Sequence, residues 1–330
     1  MQKRYVFRAD ASPEVGAGHV MRVSTIAEEL LNRGLRVSLV GEISEIEWLE
    51  KRVGLMCQGL QFISEETFTP NPLSDVLIID SYNIAIDSPF LESEKWLQMA
   101  ALIEIGTPKY KADLFIHCGT NPTIQNDYLI DNSQFIGGVE YLPIRKAIRE
   151  ISYEHKRNME SKTAQILVVG GGTDPFGFVR SLAKLLSELN CKFRATLVSN
   201  DLSITKSLDD RFVQRNIGID LEGELKSTDL ILTLAGTSSW DFLSCGIPIG
   251  IAVGFDNQKD NFEFQKSNKI AVDIGRYTDN GEFDFHVENI SKLINNLEIR
   301  QELAKRASEI VDKLGVVRIA DELVKLSSKN

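Results

Sequence analysis

Residues 4–34 read RYVFRADASPEVGAGHVMRVSTIAEELLNRG. The apolar run Arg4 to Arg8 predicts a strand, and the glycines at 16 and 18 predict a loop. A helix follows from about His19 to Arg33, with Val20, Val23, Ile26, Ala27, Leu30 and Leu31 on one face, and Gly34 ends it. Strand, glycine loop and helix in that order open a Rossmann-like unit. The same grammar restarts at residues 166–189, ILVVGGGTDPFGFVRSLAKLLSEL.

Working outward, Leu35 to Val40, Val76 to Asp80, Ala100 to Ile105 and Leu114 to Cys118 predict further strands in the first half. Phe193 to Ser199, Asp229 to Leu234 and Ile249 to Val253 predict them in the second. These runs are continuously apolar rather than alternating, the mark of strands buried on both faces of a parallel sheet. Lys146 to Lys162 is charged, helix-prone and poor in strand formers, so it reads as a connection. Ile290 to Leu326 reads as two helical pieces broken near Gly315. The expected organisation is an N-terminal domain over 1–147, a linker over 148–163 and a C-terminal domain over 164–330. The last helix is expected to pack back on the first domain. The fold class is α/β, with two Rossmann-like, doubly wound domains facing a central cleft.

A chain of 330 residues with 43% hydrophobic and 25% charged residues suits two globular domains. Its net charge of −10 argues against nucleic acid or an anionic membrane as partner. No apolar run is long enough to span a bilayer, and the N-terminus lacks a signal-peptide core. Cys57, Cys118, Cys191 and Cys245 lack metal or redox spacing and are expected to pack as small apolar residues in the cytoplasm. No metal site or cofactor is expected, and His117, His155 and His286 read as structural or solvated.

Three loops have the composition to hold an anion at a helix N-terminus. In Gly16-Ala17-Gly18-His19 the glycines permit close approach, and His19 at a helix start disfavours imidazolium and suits a general base. A glycine turn with a capping histidine fits the same residues. Gly170-Gly171-Gly172-Thr173-Asp174-Pro175 has more glycines than a turn needs, with Pro175 at an expected first helical position. Gly236-Thr237-Ser238-Ser239 offers hydroxyls to pyrophosphate. Asp241 one turn on could accept from ribose hydroxyls or simply stabilise its helix.

Together these segments resemble the UDP-2,4-diacetamido-2,4,6-trideoxy-β-L-altropyranose hydrolase family of pseudaminic acid biosynthesis, and its spore-coat-polysaccharide relatives. FRADASPEVGAGHVMRVSTIAEEL resembles the family's opening motif, and IIDSY (78–82) its mid-domain strand end. FIGGVEYLPIR (135–145) is similar to its G-x-x-Y-x-x-L-R element with Ile144 for leucine. GGGTDP, AGTSSWDFLSCGIP and FDNQ resemble its nucleotide-binding elements. Asp241 stands where the family usually has glutamate, and Ile105-Gly106 where it tends to have paired aspartates.

The resemblance implies the GT-B fold, shared with the glycosyltransferase that completes lipid II. It implies His19 as catalytic base, with Asp80 and Tyr82 near the sugar and Arg8, Asp10, Gly16, Gly18 and Arg22 in the same opening motif. Gly170 to Asp174, Gly236 to Ser239, Asp241, Asn257 and Gln258 would surround UDP. The implied reaction is metal-independent attack of water on the anomeric carbon of a UDP-linked diacetamido-trideoxy sugar, for nonulosonic acid or surface polysaccharide. A GT-B glycosyltransferase using a hydroxyl acceptor is the alternative, and a non-catalytic nucleotide-sugar-binding protein a more remote one. Residues alone leave Arg22 open as a solvated helix residue and Asp10 as a turn cap.

Overall fold

A computed structural model describes residues 2–121, 123–129, 132–151, 163–218 and 221–328. The chain divides into two compact units, Met1–Lys146 with Lys313–Asn330, and Ala147–Asp312. Residues 152–162, most of the expected linker and with it His155, lie outside the described residues.

The first unit runs β1 (Arg4–Arg8), α1 (Gly18–Asn32), β2 (Arg36–Val40), α2 (Glu47–Met56), β3 (Phe62–Ile63), β4 (Asp75–Ile79), β5 (Gln98–Leu102), β6 (Leu114–His117), α3 (Gln125–Tyr128) and β7 (Gln134–Gly137). The strands form one parallel sheet in the order β3-β2-β1-β4-β5-β6-β7. All of β4, DVLII, is buried, because side chains on both faces of the sheet meet apolar neighbours. On one face α1 sets Val20, Val23, Ile26, Ala27 and Leu30 into a core with Tyr5, Phe7 and Ile78.

The second unit repeats the plan. After α4 (Lys146–Arg149) come β8 (Ala164–Val169), α5 (Phe178–Glu188), β9 (Phe193–Val198), β10 (Phe212–Arg215), α6 (Leu221–Leu225), β11 (Leu230–Leu234), α7 (Ser238–Ser244), β12 (Ile249–Val253), α8 (Lys259–Ser267), β13 (Ala271–Tyr277), β14 (Phe283–Phe285), α9 (Val287–Asn295) and α10 (Leu297–Ile310). The sheet order is β10-β9-β8-β11-β12-β13-β14, the first unit's order over again. Only β14 is antiparallel, paired with β13 through a tight turn in which Thr278 N donates to Glu282 O at 2.9 Å. A connection that short cannot make the crossover a parallel partner needs.

Two expectations are corrected here. The C-terminal stretch is three helices, α9, α10 and α11 (Gly315–Ser327), not two. The extra break is at Asn296, whose side chain accepts from Ile299 N at 3.1 Å and caps α10. Pro175 is not the first residue of a helix, because α5 begins only at Phe178 after Gly177 in the left-handed region (φ 64°).

Helix α11 belongs to the first unit, where Val316, Ile319, Ala320 and Leu323 join the core beneath α1. Its end is pinned by Tyr5 Oη and Ser327 Oγ at 3.0 Å, and its flank by Arg33 Nη1 donating to Asp321 Oδ1 at 2.7 Å. A Cβ on Gly315 would fall 2.1 Å from Leu142 O, a backbone atom that cannot swing aside. Gly315→Ala should therefore lower stability by about 1–3 kcal/mol through overpacking. A urea midpoint equal to wild type would show that α11 does not seat on Leu142.

Candidate active site

In the first sheet the order reverses between β1 and β4, so the connections leaving their carboxyl ends diverge and leave room for a ligand. The polar side chains expected from the sequence meet at that point. His19 and Arg22 sit one turn apart on the inner face of α1, as i and i+3 residues do. Asp80 follows β4 directly, and its amide still donates to Arg8 O at 2.9 Å, which fixes where the carboxylate starts.

His19, Arg22 and Asp80 are 6%, 7% and 1% exposed, so their charges must be satisfied by one another. Arg22 clamps Asp80 with two bonds, Nε to Oδ2 at 2.7 Å and Nη2 to Oδ1 at 2.6 Å. His19 Nδ1 lies 2.7 Å from Asp80 Oδ1. Burial alone would raise the Asp80 carboxyl, but Arg22 and His19 outweigh it and hold it down to about 2. The oxygen facing Nδ1 is therefore an acceptor, and Nδ1 carries the proton. Arg22 Nη2, 3.3 Å from Nδ1, is already spent on the carboxylates. Nε2 makes no hydrogen bond to any described residue, so it is open to a water, as a general base must be.

Glu104, which follows β5, completes the cluster and was not singled out in the sequence. It receives Arg22 Nη1 at 3.1 Å on Oε2 and Arg22 Nη2 at 3.2 Å on Oε1, and the Tyr82 hydroxyl on Oε1. Burial works to raise Glu104, yet Arg22 keeps it below the usual carboxylate range. The signal was the acid in LIEIG, where a buried strand reaches its carboxyl end. The Tyr82 ring meets the His19 ring edge to face, with centroids 4.6 Å apart. Cys118 is also near, but burial, against the pull of Arg22, pushes its thiol up to about 12. It is a thiol at neutral pH, not a nucleophile.

Arg8 and Asp10 form a separate knot. Arg8 Nη1 donates to Asp10 Oδ1 at 2.6 Å and its Nε to Glu65 Oε2 at 2.9 Å. Asp10 Oδ1 also takes Glu42 N at 3.0 Å, so the pair ties the end of β1 to the loop after β2. Gly16 has a φ of 83°, which a side chain would strain. Gly18 begins α1 with nothing within 4 Å of where its Cβ would be, an open place in front of the helix start. Arg22 is not a solvated helix residue, because Asp80 and Glu104 bury it.

In the second unit the three expected nucleotide loops leave the carboxyl ends of three neighbouring strands, β8, β11 and β12. Several of their residues are committed to the loops themselves. Asp174 accepts from Phe178 N at 2.8 Å and Val179 N at 3.2 Å, so it occupies the amides that open α5. Burial raises its carboxyl to about 6, with those two amides pulling the other way. A Cβ on Gly170 would lie 2.2 Å from Asp174 Oδ1, so Gly170 has a packing reason to be glycine. Ser239 is fully buried, donating to Gly236 O at 2.7 Å and accepting from Gln265 Nε2 at 2.8 Å. Asp241 is buried in the first turn of α7. Gln258 turns inward, where its Oε1 accepts from Gly254 N at 2.9 Å. Thr237 and Asn257 are exposed, and Gly171, Gly172, Thr173, Gly236 and Ser238 are part-exposed, so these seven present the loop surface.

Solved structures share this architecture along nearly their whole length. MurG of Acinetobacter baumannii superposes with a TM-score of 0.64 at 13% identity, covering 98% of this chain and 99% of that one. The fold is GT-B. MnaA of S. aureus, solved with UDP, gives 0.64 at 11% identity over 100% of this chain and 99% of that one. A putative UDP-N-acetylglucosamine 2-epimerase of Listeria monocytogenes gives 0.62 at 12% identity over 97% and 95%. No protein-family model matches the sequence. An uncharacterised protein of Methanocaldococcus jannaschii is 25% identical over 309 aligned residues, which take in 84% of this chain and 62% of that protein. This GT-B chain thus spans less than two thirds of that relative.

The Asp80 carboxyl has a lower value folded than unfolded, so the stability it contributes is complete above about pH 4 and is lost as the pH falls toward 2, about 2 kcal/mol in all. Asp80→Asn should flatten the stability curve over that window, measured by urea unfolding at stepped pH. An unchanged slope would mean that Asp80 is not held by Arg22 as described.

Proposed function

We propose that this chain is a nucleotide-sugar enzyme that releases UDP from a UDP-linked diacetamido-trideoxy sugar by attack of water, with His19 as general base. The observation that carries the reading is the His19 ring, held at Nδ1 by an ionised Asp80 while Nε2 stays open. The GT-B fold, found in structures named for UDP-sugar epimerases and glycosyl transfer, supports the substrate class. The sequence resemblance supports hydrolysis and the particular sugar.

In this reading Gly171, Gly172, Thr173, Gly236, Thr237, Ser238 and Asn257 carry the UDP, with Gln258 shaping its loop. Backbone amides and hydroxyls bind the pyrophosphate in a chain of net charge −10 without a field of cations. His19 Nε2 takes a proton from water as its oxygen bonds to the anomeric carbon. The bond from that carbon to the β-phosphate oxygen breaks, its electron pair leaves with UDP, and the anomeric configuration inverts. Asp80 stabilises the imidazolium that results, as a carboxylate behind a histidine does in acyl-transfer triads.

The test follows UDP and free sugar by NMR, using UDP-2,4-diacetamido-2,4,6-trideoxyaltrose with water as the sole acceptor. Turnover should fall about 10²–10⁴-fold in His19→Ala while UDP binding, read by calorimetry, persists. Full turnover in His19→Ala would sink the assignment of the base. UDP binding with no release from this sugar would move the chain to hydroxyl transfer, and UDP binding without turnover of any sugar to the non-catalytic reading.

A further inference from the structure

The proposed base is gripped from two sides, and one residue that neither touches the ring nor belongs to the expected site set holds both grips. Asp80 fixes Nδ1, and Arg22 fixes Asp80. Tyr82 fixes the ring plane by its edge-to-face contact. Arg22 and Tyr82 come from elements 60 residues apart in sequence and converge on Glu104, the first with both terminal nitrogens and the second with its hydroxyl. We infer that Glu104 is a positioning residue which, through Arg22 and Tyr82, holds the His19 ring in place and keeps it basic enough to take the proton. This rests on the reading of His19 as general base.

The charge arrangement explains why a second carboxylate is needed. Asp80, Arg22 and Tyr82 contact the ring, Glu104 after β5 acts on it from behind Arg22, and Cys118 after β6, near Arg22, Asp80 and Glu104, is a neutral thiol. Arg22 keeps Asp80 ionised in a site that is almost dry, but a guanidinium nitrogen 3.3 Å from Nδ1 opposes a positive ring. With Asp80 and Arg22 alone the surroundings are neutral. Glu104 draws on the outer edge of the guanidinium and brings the sum to one negative charge, which the imidazolium then cancels. A glutamine there could keep the hydrogen bonds to Arg22 and Tyr82, but not the charge.

Glu104→Gln and Glu104→Asp separate charge from shape. For the UDP-sugar reaction, Glu104→Gln should lower kcat about tenfold with KM little changed. The acid-side limb of its pH–rate profile should move to lower pH by about one unit, the size of effect that loss of one nearby charge has. Glu104→Asp, which restores the charge, should bring the limb back. A kcat and limb like wild type in Glu104→Gln would overturn the proposal. So would a fall in kcat accompanied by a comparable rise in KM with the limb unmoved, which is what a sugar contact or a purely structural role would produce. A second readout needs no turnover and so survives failure of the hydrolase reading. The proton between His19 Nδ1 and Asp80 should give a downfield ¹H resonance in wild type and Glu104→Asp, absent in His19→Ala and exchange-broadened in Glu104→Gln. A resonance equally sharp in Glu104→Gln would overturn the positioning role, whatever the reaction.

Discussion

The clamp of Arg22 on Asp80 is the interaction on which the arrangement of the first unit turns. Two full charges in a site where the carboxylate is 1% exposed lose most of their hydration, and most of their attraction goes to offsetting that cost, so that only the modest pH-dependent contribution of Asp80 is left over. What such a pair adds is geometry. It binds the second turn of α1 to the residue after β4 in only one rotation of the helix. That rotation puts His19, one turn earlier, over the mouth of the sheet. The length of the β1–α1 loop follows from it. Residues 9–17 must carry the chain from the end of β1 to a helix start that leaves both polar residues facing inward.

The two units place different kinds of residue at the same point of one topology. Each sheet reverses direction between its first and fourth strands in chain order, β1 and β4 in one and β8 and β11 in the other. At the first reversal stand buried charges, each answered by another. At the second stand glycines, hydroxyls and amides, and the one carboxylate placed on the α5 amides is the chain's own Asp174. That carboxylate fills the helix start where an anion would otherwise go. Under the proposed reading, UDP phosphate binds Gly171 to Thr173 and the turn before α7, rather than the opening amides of α5.

Much of this plan was legible because burial imposes periodicity. Runs such as VLIID and DLILTL, short and bounded by turn residues, read as strands covered on both faces, and the apolar stripe of α1 as a helix lying on them. Short elements were less visible. Strand β3 has two residues and β14 three, and Asn296 between α9 and α10 looks like any polar helix residue until its side chain is seen capping. The site was legible in its types but not in its pairings. Arg22 reads equally well as solvated, because its partner Asp80 lies 58 residues away and nothing local marks it. Glu104 was hidden inside what reads as a strand. Gly170 looked like a ligand-binding glycine, whereas packing against Asp174 suffices to explain it.

The departure of Ile105-Gly106 from the paired aspartates of the resembled family takes on physical sense beside this cluster. A further carboxylate immediately after Glu104 would add a second uncancelled charge to a cluster in which Arg22 already answers both Asp80 and Glu104. Ile105 is instead about half exposed and carries no charge. Gly106, at a φ of 90°, lets the chain turn, and a Cβ placed there would lie 3.9 Å from the Tyr82 ring. Arg22, Asp80 and Glu104 together thus carry one net negative charge. Under the proposed role of His19, one negative charge is enough to stabilise the imidazolium formed in the reaction, and Asp80, the carboxylate in contact with the ring, supplies the nearest of it.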